Sequence, residues 1–281
     1  MRWLAISLAF CNLIAITHAA HAVDGVIEIN QAKALAGGVT PSDTAGFPVT
    51  IDAKGSYRLT GDLTVPDAAT TAIYVSAGDV TIDLNGFSIQ GVTVCSGDPL
   101  SCEPTGFGLG IDAFSSSTGN VTVMNGTVRG MGSAGIRLSD QGRVLNVRAI
   151  GNGSYGVSIM GGGGTAKDNT VHQNGVYGIT ISGNGTVTGN TANYNGGHGI
   201  DAGAVNGCTV TGNTVSNNGG DGIRANGTVT GNTATSNGGY GLNIGSGGYA
   251  GNVMRQNTSG SVDGFGVEIG TNFCGTNTTC P

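Results

Sequence analysis

His198, Asp201, Asp221 and Arg224 are the residues of this sequence best suited to chemistry, and Tyr155, Tyr177 and Tyr240 flank them. A histidine beside a carboxylate can act as a general base. An Asp–Arg pair with a nearby amide, here Asn243, can hold hydroxyls or a carboxylate. Tyrosine rings offer flat faces that a pyranose ring stacks against. These residues are spread from Tyr155 to Asn243, so whether they meet depends on the elements that carry them.

Those elements are repeats. Tyr177–His198, Gly199–Asp221 and Gly222–Tyr240 are three copies of a unit of about 21 residues. The glycine that opens each unit falls at Gly110, Gly135, Gly156, Gly178, Gly199, Gly222, Gly241 and Gly266. A fixed period near this length is the mark of a solenoid. One unit holds three short alternating runs, Ile179–Ile181, Thr186–Thr188 and Thr191–Tyr194. No apolar face recurs at helical spacing. Three strands per coil, each stacked in parallel on the next coil, predict an all-β parallel β-helix of about ten coils.

Stacking turns the sequence into columns. The middle residue of each first strand faces solvent, giving Tyr74, Asp112, Arg137, Ser158, Thr180, Asp201, Arg224, Asn243 and Glu268. The residue before each opening glycine gives Ala134, Tyr155, Tyr177, His198, Asp221, Tyr240 and Phe265. His198 is then expected beside Asp221, and Asp201 beside Arg224. Two asparagine columns are also expected. One runs Asn146, Asn169, Asn190, Asn213, Asn232 and Asn252, the other Asn152, Asn174, Asn195, Asn218, Asn237 and Asn257. Asparagine tolerates left-handed backbone angles at sharp turns, and its amide can bond to its counterpart about 4.8 Å away on the next coil.

The remaining segments frame the stack. Residues 1–22 read as a secretory signal ending in Ala20-His21-Ala22, with an apolar region too short to span a bilayer. Residues 23–48 read as an N-terminal cap, with strand-like Gly25–Ile29 and a short helix over Asn30–Ala36 capped by Asn30. A cap is needed because an open strand edge recruits other chains. The β-helix occupies 49–270, interrupted by an insertion at 91–108, and 271–281 close the end. In an exported chain Cys95 with Cys102, and Cys274 with Cys280, are candidates for local disulfides. Cys208 reads as a small buried filler whose counterparts in neighbouring coils are Thr186 and Thr228.

Charge narrows the partners. With 11 basic and 17 acidic residues the formal charge is −6, and no basic stripe occurs. Nucleic acid is therefore not an expected partner. No Cys/His spacing suits zinc. Residues 196–204 (GGHGIDAGA) resemble a calcium-binding nonapeptide repeat, but Gly203 replaces its large apolar residue, and a calcium roll needs a period of nine. No cofactor is expected, and calcium has no supporting motif.

Units of the form Gly-Ile-x-Ile…Thr-Val-x-Gly-Asn-x-x-x-x-Asn-Gly-Gly resemble the right-handed parallel β-helix repeat of the pectin-lyase-like proteins. That group includes pectate lyases, polygalacturonases, alginate epimerases and lyases, and phage tailspikes. The resemblance covers Val49 to Ile269, and Val80–Gly91 is similar to the first full coil of many secreted bacterial members. It implies a right-handed, single-stranded helix of coils. The enzymatic motifs of the group are mostly missing. The outward columns offer scattered Asp instead of a calcium-binding carboxylate cluster. Gly197-His198-Gly199 matches one polygalacturonase fragment without its aspartates, and the epimerase Asp-Pro-His motif is absent.

The expected function is non-enzymatic binding of a polysaccharide or cell-surface glycan through the first-sheet face, by an exported protein that is secreted, periplasmic or on the cell surface. Tyr155, Tyr177, Arg224, Tyr240 and Asn243 would bind; in an enzymatic version His198, Asp201 and Asp221 would be catalytic. The alternative is a lyase, epimerase or hydrolase acting on uronate-containing glycans. A third class is a purely structural surface or fibre module. The same face also fits a solvated sheet whose charges pair across coils, each pair worth under about 1 kcal/mol.

Overall fold

The computed structural model describes residues 25–115, 117–203, 207–275 and 280. The expected signal segment lies outside them. Short parallel strands follow one another around a coil, and each pairs with its counterpart one coil on. The first sheet runs through Val49–Ile51, Ile73–Val75, Ile111–Ala113, Ile136–Leu138, Val157–Ile159, Ile179–Ile181 and Ile200–Ala202 into the strands that begin at Ile223 and Tyr240. The second and third sheets form in the same way from the later strands of each coil. The result is an all-β solenoid of about 11 turns. That exceeds the expected ten because Val26–Ile29 already adds a strand to the second sheet, paired with Ser56–Leu59.

Alternation decides which side chains go in. Columns such as Ile136, Val157, Ile179, Ile200 and Ile223 are fully buried, as are Val171, Ala192, Val215 and Ala234. Burying each Val, Ile or Leu contributes roughly 1.5–3 kcal/mol. The opening glycines are required for space and not for backbone freedom. A Cβ on Gly156 would lie 2.7 Å from both the Asn174 amide nitrogen and the Gly178 carbonyl.

The asparagine columns form two buried ladders. Asn169 donates its backbone N–H (2.9 Å) and its side-chain NH2 (3.0 Å) to Asn190 Oδ1. Asn190 does the same to Asn213, at 2.9 Å for both bonds. The other ladder repeats this from Asn152 to Asn257. Two details differ from the sequence reading. Asn146 is not a rung: Val147 holds that level and donates its N–H to Asn169 Oδ1. The first ladder also extends to Asn272, which accepts from Asn252. The left-handed residue is the one before each rung, as at Asp168 (φ 55), Gly189 (φ 67) and Gly212 (φ 65). Asn146 (φ 52) occupies that preceding position.

The N-terminal edge of the third sheet is capped. Asn30 accepts from Lys33 N–H at 3.0 Å and starts the helix Gln31–Ala36. The Gln31 amide accepts the Thr64 N–H (2.8 Å) and donates to the Thr64 carbonyl (3.2 Å), so one side chain pairs the strand as a neighbouring strand would. Residues 91–108 leave the solenoid as an antiparallel hairpin, Val94–Ser96 with Ser101–Glu103, in which Cys95 faces Cys102. Both expected disulfides are present. Cys208 is buried but pairs in register with Gly227; Thr209 is the residue that stacks between Thr186 and Thr228. Burial pushes its thiol pKa up.

Replacing Asn190 by alanine strips an acceptor from two buried donors and a donor from the Ala166 carbonyl. We expect a loss of about 2–4 kcal/mol, read as a lower urea midpoint, against under about 0.5 kcal/mol for the outward Thr188→Ala.

Candidate functional site

The turn from the third sheet into the first sheet positions the site. In it Gly196 N–H donates to Asn174 O, and Gly219 N–H to Asn195 O, at 2.9 Å each. These bonds hold every copy of the turn in one register, so the residue before each opening glycine projects from the same place. The preceding glycine clears its seat. A Cβ on Gly197 would lie 2.7 Å from the Tyr177 ring, and one on Gly220 would lie 2.8 Å from His198 Nδ1.

Tyr155, Tyr177 and His198 therefore form a continuous half-buried row of rings. Their centroids are 5.7 Å apart from Tyr155 to Tyr177 and 4.9 Å from Tyr177 to His198. Asp221 follows one coil on and is buried. Its backbone N–H donates to His198 Nδ1 at 2.9 Å, and its Oδ2 lies 3.6 Å from the same nitrogen. The carboxylate is otherwise occupied: Oδ1 accepts the Tyr240 N–H at 2.7 Å and Oδ2 accepts from the Asn243 amide at 3.2 Å. Because Nδ1 accepts a hydrogen bond, the proton of the neutral imidazole sits on Nε2. Asp221 thus braces the coil after it, and does not receive an Nδ1–H as an orienting carboxylate would.

One strand over, Asp201 faces Arg224 in register, with a loose 4.0 Å contact. Asp201 Oδ1 also accepts the Gly203 N–H at 3.1 Å. A tighter pair lies further up the same column, where Arg137 grips Asp112 with two bonds of 2.9 and 2.8 Å and packs over Phe114. Among the described residues no group of three or more His, Cys, Asp or Glu is placed to hold a metal ion, and no helix is long and apolar enough to cross a membrane.

The structure brings Tyr155, Tyr177, His198, Asp221 and Asn243 into one strip, with Asp201 and Arg224 beside it. Tyr240 is tied in through its backbone. The columns end differently from the sequence reading. Asn243 pairs with Asp263, and Tyr240 with Gly260, whereas Glu268 pairs with Tyr249 in the second sheet and Phe265 stands outside the column. Glycines at 260, 264 and 266 blur the register there. A second feature was not visible in the repeat: a cleft of about 700 Å³ between the hairpin tip, Gly97–Leu100, and the turns at Tyr194, Asn217 and Ser236. Its one sequence signal is a tyrosine at 194 where the equivalent positions hold Gln173, Asn217, Ser236 and Gln256.

The fold and this face define a parallel β-helix with an outward strip of aromatic and polar residues. A family model described as right handed beta helix region matches residues 54–204 and 109–259, and the chain belongs to that family. No curated protein matches it. Among solved structures, the periplasmic alginate epimerase AlgG is similar, at 15% identity over 80% of this chain and 70% of that one, with a TM-score of 0.51. The A-module of the Azotobacter vinelandii mannuronan C-5 epimerase AlgE4 is 13% identical over 81% of this chain and 91% of that one, with a TM-score of 0.48. The enzymatically active domain of bacteriophage CBA120 tailspike protein 2 is 14% identical over 79% and 39%, with a TM-score of 0.44. At these identities the likeness is one of fold.

Asp221→Ala is expected to lower stability by about 1–3 kcal/mol, because the part-buried Tyr240 N–H loses its acceptor and the Asn243 amide loses its partner. Arg224→Ala, which breaks only the loose 4.0 Å contact of a half-exposed arginine, is expected to change it by under about 0.5 kcal/mol. Thermal or urea unfolding of both variants checks the contrast.

Proposed function

We propose that this is an exported protein that binds polysaccharide or cell-surface glycan through its first-sheet face, without converting it. The observation that carries the reading is the row Tyr155, Tyr177 and His198, with ring separations of 5.7 and 4.9 Å. Coils advance by about 4.8 Å, close to the advance of one sugar residue in an extended chain. Successive rings of the row can therefore meet successive sugars. Asp201, Arg224 and Asn243 lie beside the row and supply acceptors and donors for hydroxyls or a uronate carboxylate. Two disulfides suit an oxidising compartment. The names of the similar structures put alginate first among the ligands to test.

A glycan array carrying alginate, pectin and neutral polymers, followed by titration of the ligand retained, tests this reading. Tyr177→Ala is expected to weaken binding roughly five- to tenfold, the loss of about 1 kcal/mol of ring contact. Retention of no acidic or neutral glycan would sink it.

A second reading, lyase, epimerase or hydrolase chemistry on a uronate polymer, draws on the 3.6 Å approach of His198 to Asp221. It needs His198 in the opposite tautomer, with its proton on Nδ1 facing Asp221 Oδ2 and Nε2 free to accept a proton, whereas the Asp221 N–H bond to Nδ1 holds the proton on Nε2. Assays of unsaturated uronate release, reducing ends and epimerisation on alginate and pectin test it. Turnover that disappears in His198→Ala and Asp201→Ala would make catalysis the function.

A further inference from the structure

The hairpin at 91–108 makes a second candidate site on the opposite side of the turn from the aromatic row. The disulfide joins its two strands directly across from one another, and the Cys95 sulfur lies 3.6 Å from the Asn152 carbonyl. The hairpin is thereby seated on the turns that link the third sheet to the first. Beyond this seat its tip, Gly97–Leu100, overhangs the solenoid and encloses the cleft of about 700 Å³. That volume is in the range of small-ligand sites.

The opposite wall is a column of left-handed residues, Gln173 (φ 53), Tyr194 (φ 56), Asn217 (φ 54) and Ser236 (φ 55). It presents an amide, a phenol ring, a second amide and a hydroxyl at intervals of one coil. Asp98 is the sole charged residue among those lining the cleft. Tyr194 is 51% exposed, and its ring is held edge-on against His172 at 5.4 Å. A left-handed backbone disfavours a bulky side chain, so tyrosine is a poor choice there on conformational grounds. A stacking platform is what it adds.

We propose that this cleft is a binding site for an uncharged oligosaccharide, separate from the first-sheet face. The lining offers no cation for a uronate, and Asp98 would repel one. It does offer a ring face and a ladder of neutral donors and acceptors. The site stands independently of the reading given for the aromatic row.

The test is titration of the intact protein with neutral hexaoses (gluco-, manno- and xylo-configured) and with a hexauronate, following the amide resonances of Gly97, Gly196, Gly219 and Gly238. At least one neutral hexaose is expected to shift these amides, and the hexauronate is expected to leave them unmoved. Tyr194→Asn suits the left-handed backbone better, so its urea midpoint is expected to hold or rise while affinity falls tenfold or more. Tyr177→Ala is expected to leave this binding unchanged. The proposal is overturned if no neutral hexaose shifts those amides. It is equally overturned if Tyr194→Asn binds as before, or if Tyr177→Ala abolishes binding. A hexauronate response confined to the first-sheet face would support the earlier reading whichever way these results fall.

Discussion

Everything in this molecule depends on the satisfaction of buried amides from one coil to the next. A coil of about 21 residues has sharp corners, and at each corner backbone groups turn inward where water cannot reach them. A buried polar group without a partner costs about 1–3 kcal/mol. The ladder asparagines remove that penalty by accepting from the backbone and amide of one coil while donating to carbonyls of others. They also fix the register, because a rung displaced by one residue would lose all of these bonds together. The outward columns are therefore aligned as a by-product of the inward chemistry, and the row of rings inherits its spacing from the ladder.

Glycine serves the same constraint in another way. Gly135, Gly156, Gly178, Gly199 and Gly222 each sit against the side-chain nitrogen of a ladder asparagine, at 2.7–2.8 Å from where a Cβ would be. The high glycine content therefore reflects close packing at the corners and not a loose chain. Aromatic side chains fit on the outside for the same reason, since Gly197 and Gly220 leave room for Tyr177 and His198.

Where the sequence pattern was regular, it was sufficient. The Ile columns, the second ladder and the pairs His198–Asp221 and Asp201–Arg224 follow from period alone, and the registers match. Where composition blurred the pattern, it misled. Asn146 looked like a rung because asparagine suits both the left-handed position and the rung after it. Glu268 and Phe265 fall outside the columns that the period predicts, because the glycines at 260, 264 and 266 let the chain take more than one register there. The direction of the bond at His198 was not legible either. Residue types imply an Asp–His contact, but only coordinates show that the backbone N–H, not the carboxylate, engages Nδ1. The cleft was hidden for a different reason: a hairpin outside the period has its position set by tertiary contacts that no column predicts.

That hairpin has a mechanical consequence. In a solenoid each coil touches only its neighbours, so the array can open one coil at a time. Residues 91–108 break that rule. Thr93 N–H bonds to Gly130 O, the Cys95 and Cys102 sulfurs approach Asn152 O, and Cys102 lies close over Gly175. A single covalently closed strut thus spans several successive coils along one edge. Peeling force applied to any one of them is shared among the rest, so this flank of the molecule is stiffened lengthwise.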